Sequence, residues 1–317
     1  MPLEIGMAWT INDTASQAGR LALVTGANIG LGYDTALALA GKGCSVVLAC
    51  RNLDKAKAAR AKIMARHKGA EIECMRLDLS SLKSVHSFVV TFARSYQALD
   101  LLINNAGIMM PPYALSEDGF ESQLAANYLG HFALTGLILP LIVRRQGSRI
   151  VSLSSLAHNW GEIRFDDPQF EDGYNKRAAY GQSKLACLMF SYELNRRLQV
   201  ADPRTLSVAA HPGVAATNLA QHFPKFLSIF FPLVGQSASD GALPILYAAL
   251  GTDIKGGDYC GPRSMGQMRG APIKVGSNRN SRDEAAAGKL WQMSERLTGV
   301  QYPLLFGNLD SNGRQKQ

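Results

Sequence analysis

The chain has 317 residues, of which 47 % are apolar and 18 % charged. This supplies a large core and excludes extended disorder. Its formal charge of +8 comes from scattered Lys and Arg; the densest group, Lys55, Lys57, Arg60 and Lys62, has the spacing of a solvated helix face, so no nucleic-acid partner is expected. The five cysteines (Cys44, Cys50, Cys74, Cys187, Cys260) are odd in number and form no C-x-x-C pair. They read as buried free thiols in a reducing compartment. No signal-peptide pattern is evident at the N-terminus. The longest apolar stretch, Phe132 to Val143, is broken by Thr135, Gly136 and Pro140 and is too short to span a bilayer. A cytoplasmic location is expected, with membrane contact at most peripheral.

Residues 1–19 form an extension without a clear period. From Arg20, short β-branched runs alternate with helical windows. The spacing predicts strands at Leu21–Thr25, Ser45–Cys50, Glu71–Leu77, Leu99–Ile103, Arg149–Leu153 and Leu206–Ala210. Between them it predicts helices at Gly30–Gly41, Leu53–His67, Leu82–Tyr96, about Gly119 to Arg144, and about Ala178 to Leu198. This alternation implies an α/β fold, a doubly wound parallel sheet with helices on both faces. After about residue 215 the pattern weakens. Gln221–Leu250 is rich in Phe, Leu and Pro. Gly256–Gly276 reads as loops around a short strand near Asp258–Cys260, and Arg282–Leu297 as a closing helix. The expected domain spans residues 20–300, with its cofactor half at about 20–155, a substrate-covering part at about 214–276 and a polar tail at 301–317.

The first strand runs into Thr25-Gly26-Ala27-Asn28-Ile29-Gly30-Leu31-Gly32. Gly26 permits a sharp bend, Gly30 lets backbone approach a pyrophosphate, and Gly32 lets helix pack on sheet. Asn28 and Ile29 sit within the turn, and the helix start presents N–H groups to phosphate. A strand before and a helix after supply the context that such a motif needs. Where the second strand ends, at Ala49-Cys50-Arg51-Asn52, there is no acid to bond a ribose 2′-OH, and Arg51 can pair with a 2′-phosphate. That favours NADP(H) over NAD. Asp78, followed by Leu79, is either an adenine contact or an ordinary strand-end acid.

Tyr180 and Lys184 are four residues apart on one predicted helix, hence on one face. An ammonium there stabilises a phenolate and suits Tyr180 to proton transfer. Ser154 and Ser155 follow a strand at the carboxyl edge, where parallel sheets put their ligands. Asn104-Asn105-Ala106-Gly107 closes the preceding strand, and the small residues Ala106 and Gly107 beside Asn105 let a cofactor lie close. Asn127, a poor mid-helix residue, either holds a water near Lys184 or is a satisfied buried amide. His67, His86, His131, His158, His211 and His222 lack ligand spacing, so no metal is expected.

In this order, T-G-x-x-x-G-x-G, N-N-A-G, the helix Asn, the Ser pair and Y-x-x-x-K resemble the short-chain dehydrogenases/reductases. The resemblance runs from about Arg20 to Thr217, and loosely to residue 300. It implies a single-domain Rossmann-type sheet and a catalytic tetrad of Asn127, Ser155, Tyr180 and Lys184. Ser155 is preferred to Ser154 because members generally use the second serine. His211-Pro212-Gly213-Val214 with Thr217 resembles the segment whose backbone and hydroxyl hold the nicotinamide amide. The 25-position interval from Ser155 to Tyr180, with Ala157-His158-Asn159-Trp160 and Phe165-Asp166-Asp167, resembles the retinol-dehydrogenase-like branch. So do Asn127-Tyr128-Leu129-Gly130-His131-Phe132 and Leu290-Trp291. Protochlorophyllide reductases and WW-domain oxidoreductases are relatives of that branch. The implied activity is hydride transfer between NADP(H) and a carbonyl or alcohol carbon of a small apolar substrate. A protochlorophyllide-reductase-like enzyme and a non-catalytic dinucleotide sensor are the rival readings. The apolar segment Phe223–Leu233 is open to three uses: pocket lining, ordinary core, or membrane contact. The resemblance also allows a homodimer through the helices around Asn127 and Tyr180, unless the insertion and C-terminal part cover them.

Overall fold

The computed structural model describes residues 8–214 and 236–305. Thr217 and the Phe223–Leu233 segment lie outside the described residues. The order is β1 (Leu21–Thr25), α1 (Gly30–Gly41), β2 (Ser45–Cys50), α2 (Leu53–Arg66), β3 (Ile72–Arg76), α3 (Leu82–Ser95), β4 (Leu101–Asn104), α4 (Gly130–Ile142), β5 (Arg149–Leu153), α5 (Lys176–Ala201), β6 (Leu206–Ala210), α6 (Ala238–Leu250), β7 (Tyr259–Ser264), β8 (Arg269–Lys274) and α7 (Glu284–Thr298). The strands form one sheet in the order β3-β2-β1-β4-β5-β6-β7-β8, parallel except for β8. The chain turns back between β1 and β4, and at such a switch point α/β sheets bind ligands outside the strands' carboxyl ends.

Strands β1, β2, β4, β5 and β6 are buried on both faces, which is why they read as apolar runs. Leu21 and Leu23 pack with α3, α4 and α5 on one side. Ala22 and Val24 pack with α1, α2 and α6 on the other. Gly130 at the start of α4 is dictated by close approach: a Cβ there would stand 2.9 Å from the Leu79 backbone carbon.

Three expectations change. The helix expected from Gly119 begins instead with a π-helical turn, Leu124–Leu129, which carries Asn127 into α4. Glu121 caps that start, its carboxylate accepting from the N–H groups of Gln123 (2.9 Å) and Leu124 (2.8 Å). The region expected to hold one short strand holds the antiparallel hairpin β7–β8. Glycine and proline hid it, but β8 is an edge strand and β7 pairs with β6 only through Tyr259 and Cys260, so Gly261, Pro262, Gly270 and Pro272 sit where one row of backbone groups needs no partner. The apolar stretch also proves longer than the sequence suggested. Leu124–Ile142 has the length and apolar character of a membrane span, yet 83 % of it is buried inside the fold, as befits a core helix.

The faces of α4 and α5 through which the resemblance allowed a homodimer are covered by α7. Trp291 of α7 stacks on Phe190 at 5.9 Å and meets Phe132 edge-on at 5.2 Å. Tyr302 beyond it donates to the Phe132 carbonyl at 2.6 Å.

Candidate active site

The glycine turn, the ends of β2 and β3 and the end of β4 enclose a cleft of about 550 Å³. Its walls bring together Gly26, Asn28, Ile29, Gly30, Gly32, Arg51, Asp78, Leu79, Asn105, Ala106 and Gly107, all expected on the cofactor from sequence. Gly26 is in the left-handed region at φ 65°, and a Cβ on Gly32 would stand 2.6 Å from the Gly26 carbonyl oxygen, so both positions require glycine. The helices α2, α3, α5, α6 and α7 each have a side-chain N-cap, from Asn52, Ser81, Asn175, Ser237 and Asp283. α1 has none, and its start lies on the cleft wall. Its first N–H groups are therefore left to solvent or to an anion. A dinucleotide pyrophosphate fits that donor set.

Arg51 is exposed on the cleft wall. Its neighbour Asn52 is spent on capping α2, accepting from Lys55 N–H at 2.9 Å. Asp78 accepts from the Ser80 N–H (3.0 Å) and hydroxyl (2.6 Å) on one carboxylate oxygen, leaving the other toward the cleft wall it lines.

β5 and α5 carry the reactive side chains. Tyr180 and Lys184 lie a turn apart on α5 and are nearly buried, with the ammonium 5.9 Å from the Tyr180 ring centre. Lys184 Nζ donates to the Leu153 carbonyl at 3.2 Å. The two serines divide their work. Ser154 is buried and its hydroxyl donates to the Lys184 carbonyl at 2.8 Å. Ser155 is half-buried, and its oxygen accepts from Ala157 N–H at 3.2 Å. That bond consumes a lone pair and leaves the Ser155 proton available, whereas the Ser154 proton is committed. Geometry thus selects the second serine.

Asn127 behaves as a clamp. Its Oδ1 accepts from Ile108 N–H at 2.7 Å, and its Nδ2 donates to the Ile108 carbonyl (3.0 Å) and to Ser183 Oγ (2.9 Å). Both amide protons are used, so only an Oδ1 lone pair remains for the water task expected of it. A Cβ on Gly107 would stand 3.1 Å from that oxygen and 3.5 Å from Lys184 Nζ, so the two polar ends converge where Gly107 leaves room.

The Pro212–Val214 segment is more committed than expected. Val214 N–H donates to the Met268 carbonyl at 2.8 Å and its carbonyl accepts from Gln236 N–H at 2.9 Å. The Pro212 carbonyl accepts from Gln236 Nε2 at 2.7 Å. Val214 N–H is thereby tied to the β7–β8 turn, while the Val214 and Pro212 carbonyls each keep a second lone pair.

The sequence profile of the short chain dehydrogenase family matches residues 20–227. This chain belongs to the short-chain dehydrogenases. Retinol dehydrogenase 13 of Homo sapiens is 40 % identical over 298 residues, covering 91 % of this chain and 87 % of the relative. Retinol dehydrogenase 11 of Homo sapiens is 37 % identical over 292 residues, covering 91 % and 88 %. The crystal structure of an uncharacterized protein from Mycobacterium Paratuberculosis matches with a TM-score of 0.79 and 42 % identity, covering 93 % of this chain and 99 % of that one. The RhlG/NADP active-site complex of Pseudomonas aeruginosa shares the fold, with a TM-score of 0.62 at 22 % identity over 77 % and 94 %. The chain stands in the retinol-dehydrogenase-like branch and is an oxidoreductase of alcohol and carbonyl groups that uses a nicotinamide dinucleotide.

Thr25 and His131, which carry no motif-borne task, are joined behind the short-chain dehydrogenase site. Thr25 Oγ1 accepts from the N–H groups of Asn105 and Ala106, both at 2.9 Å, and meets His131 Nε2 at 2.9 Å. His131 Nδ1 meets the Asn127 carbonyl at 2.9 Å. A carbonyl only accepts, so the network assigns the proton to Nδ1 and makes Thr25 the donor to Nε2. One chain of bonds therefore links the glycine turn, the end of β4 and Asn127. A histidine on an otherwise apolar helix was the available signal.

Proposed function

We propose that this short-chain dehydrogenase is an NADP(H)-dependent reductase of apolar carbonyl compounds, with retinal-like aldehydes the class suggested by the names of its curated relatives. The observation that carries the cofactor choice is the end of β2: Arg51 lines the cleft and no carboxylate stands beside it there. A guanidinium binds a 2′-phosphate through paired charge-assisted bonds, and it offers nothing comparable to a 2′-hydroxyl. The Asp78 carboxylate is suited to an adenine amino group. An NADP(H) pool that cells keep reduced favours the reductive direction.

The dinucleotide, when bound, carries the hydride. The Ser155 hydroxyl donates to the substrate oxygen and fixes its position. The Tyr180 phenol gives its proton to that oxygen as negative charge develops there. The Lys184 ammonium, which no carboxylate pairs with among the described residues, stabilises the charge left on the phenol oxygen. Asn127 holds Ile108 and Ser183 in place around that ammonium. The retained set of Ser155, Tyr180 and Lys184 favours this reading over a dinucleotide sensor, for which a free serine proton and a buried ammonium have no use.

NADPH oxidation with all-trans-retinal in the dark tests both halves. Tyr180→Phe is expected to abolish turnover while leaving NADPH binding intact. Arg51→Gln is expected to raise KM for NADPH about tenfold or more, the loss of a charged hydrogen bond of ~1.5–3 kcal/mol, with KM for NADH unchanged. Turnover that survives Tyr180→Phe, or equal effects of Arg51→Gln on both dinucleotides, refutes the corresponding half.

A further inference from the structure

The insertion that follows Ser155 places a second buried histidine directly against that serine. Ser155 is the N-cap of the 3-10 turn Leu156–Trp160, with extended backbone at φ −158° and ψ 162°. Its carbonyl accepts twice from one residue: His158 N–H at 3.1 Å and His158 Nδ1 at 2.7 Å. The far ring nitrogen, Nε2, faces Asn278 N–H at 3.4 Å, and Asn278 Nδ2 donates to the His158 carbonyl at 2.9 Å. A carbonyl at one nitrogen and an N–H at the other leave one arrangement, a single proton on Nδ1. Burial pushes His158 below the ordinary histidine range, partly offset by its bond to Ser155. The other titratable groups at the ring are Tyr259, edge-on at 5.6 Å, and His211, which packs on the same Tyr259 at 5.1 Å.

We propose that His158 is a positioning residue for Ser155, its Nδ1–H locking the serine carbonyl so that the Ser155 hydroxyl proton stays directed at the substrate oxygen. Two donors on one carbonyl, together with the Ala157 N–H bond to the hydroxyl oxygen, over-determine the residue whose proton must be aimed. A merely structural histidine would instead matter through Nε2, as the tether of the 275–283 segment. The inference rests on the proposed reductase reading, because the substrate oxygen is what Ser155 addresses.

Side-chain amides separate the two roles. In His158→Asn the amide nitrogen takes the place of the Nδ1 donor; in His158→Gln the amide oxygen takes the place of Nε2 as acceptor for Asn278 N–H. Against all-trans-retinal and NADPH, His158→Leu and His158→Gln are expected to lower kcat about 30-fold or more, the scale of a misplaced catalytic group, with KM for NADPH unchanged. His158→Asn is expected to recover most of that loss. In a Ser155→Ala background, His158→Gln should cost nothing further, since residues acting as a unit are non-additive. Greater activity in His158→Gln than in His158→Asn, or a full further loss in the Ser155→Ala background, overturns the proposal. A second measurement needs no turnover. Nitrogen NMR of histidine-labelled protein should show His158 with its proton on Nδ1, and Ser155→Gly, which removes the hydroxyl and frees the backbone, should broaden or shift that signal. A proton on Nε2 in the wild type, or a signal indifferent to Ser155→Gly, overturns it. Should the wild type oxidise NADPH with no carbonyl, the reductase reading falls while the NMR result still decides whether His158 governs Ser155.

Discussion

His131 shows how a single buried side chain makes folding stability depend on pH. Full burial lowers its pKa to about 4, against the Asn127 carbonyl that favours the proton and with Lys184 opposing it. His211 is likewise lowered to about 4 by burial, partly offset by its bond to Gln267. Both values lie below the ordinary 6.5, so between pH 6.5 and 4 the unfolded chain binds more protons than the folded one. Stability is therefore fully present above about pH 6.5 and is lost as pH falls toward 4, by about 3 kcal/mol for each histidine. Urea unfolding between pH 7.5 and 4.5 should show a midpoint that falls steadily across this window, and a flat profile would contradict it. Thr25→Val should also cost about 1–3 kcal/mol at pH 7.5, since it leaves the Ala106 N–H and a ring nitrogen without their partner and the Asn105 N–H with the Ile103 carbonyl alone. None of this was legible in the sequence, because Thr25 and His131 are 106 positions apart and meet only through strand pairing and the packing of α4. Tyr180, Lys184 and Arg51 were legible for the opposite reason: their placement follows from one helix repeat and one strand end.

At the scale of elements, the connection from β4 to the π-helical turn forms part of the wall of the cleft proposed for the cofactor. Leu115 and Ser116 line the cleft, and Leu115 bridges to Glu121 across a tight turn. The tip of that turn is pinned to the start of α3. Asp118 accepts from Leu82 N–H at 2.8 Å, and Glu117 accepts from the Ser81 hydroxyl. A carboxylate at a helix N-terminus stabilises by roughly 0.3–1 kcal/mol and is screened by salt, so this pin holds weakly. Asp118→Asn is thus expected to raise KM for NADPH a few-fold through faster cofactor release, with global stability falling by no more than about 1 kcal/mol. Stopped-flow displacement of NADPH measures the release rate; an unchanged rate would show that the turn does not restrain the cofactor. The helices and central strands were visible as periodic runs because they are buried. This turn and the β7–β8 hairpin were not, because exposed polar residues, Gly266 and Pro262 carry no period and their register is set by neighbours distant in sequence.

At the scale of the whole molecule, the chain supplies its own cover for the faces of α4 and α5 through which the resemblance allowed a homodimer. In α4 all residues but Leu137 and Pro140 are buried within one chain. Trp291 is 2 % exposed, held by Phe132, Phe190 and Tyr302 and overlaid by Arg197 at 4.2 Å. Tyr128 and Ser294 add a buried hydrogen bond of 2.6 Å between the π-helical turn and α7. A second copy could use this face only by expelling α7, which would expose four aromatic rings at roughly 1.5–3 kcal/mol each. A dimer of ordinary affinity cannot recover that loss as well as the cost of association. Light scattering at micromolar concentration is therefore expected to give the mass of one chain, 34.2 kDa. Trp291→Ala should lower stability by about 3–5 kcal/mol and uncover the face. The variant should then self-associate or bind hydrophobic dye where the parent does neither. A parent dimer whose α7 amides lose protection from exchange would show that α7 yields to a partner after all.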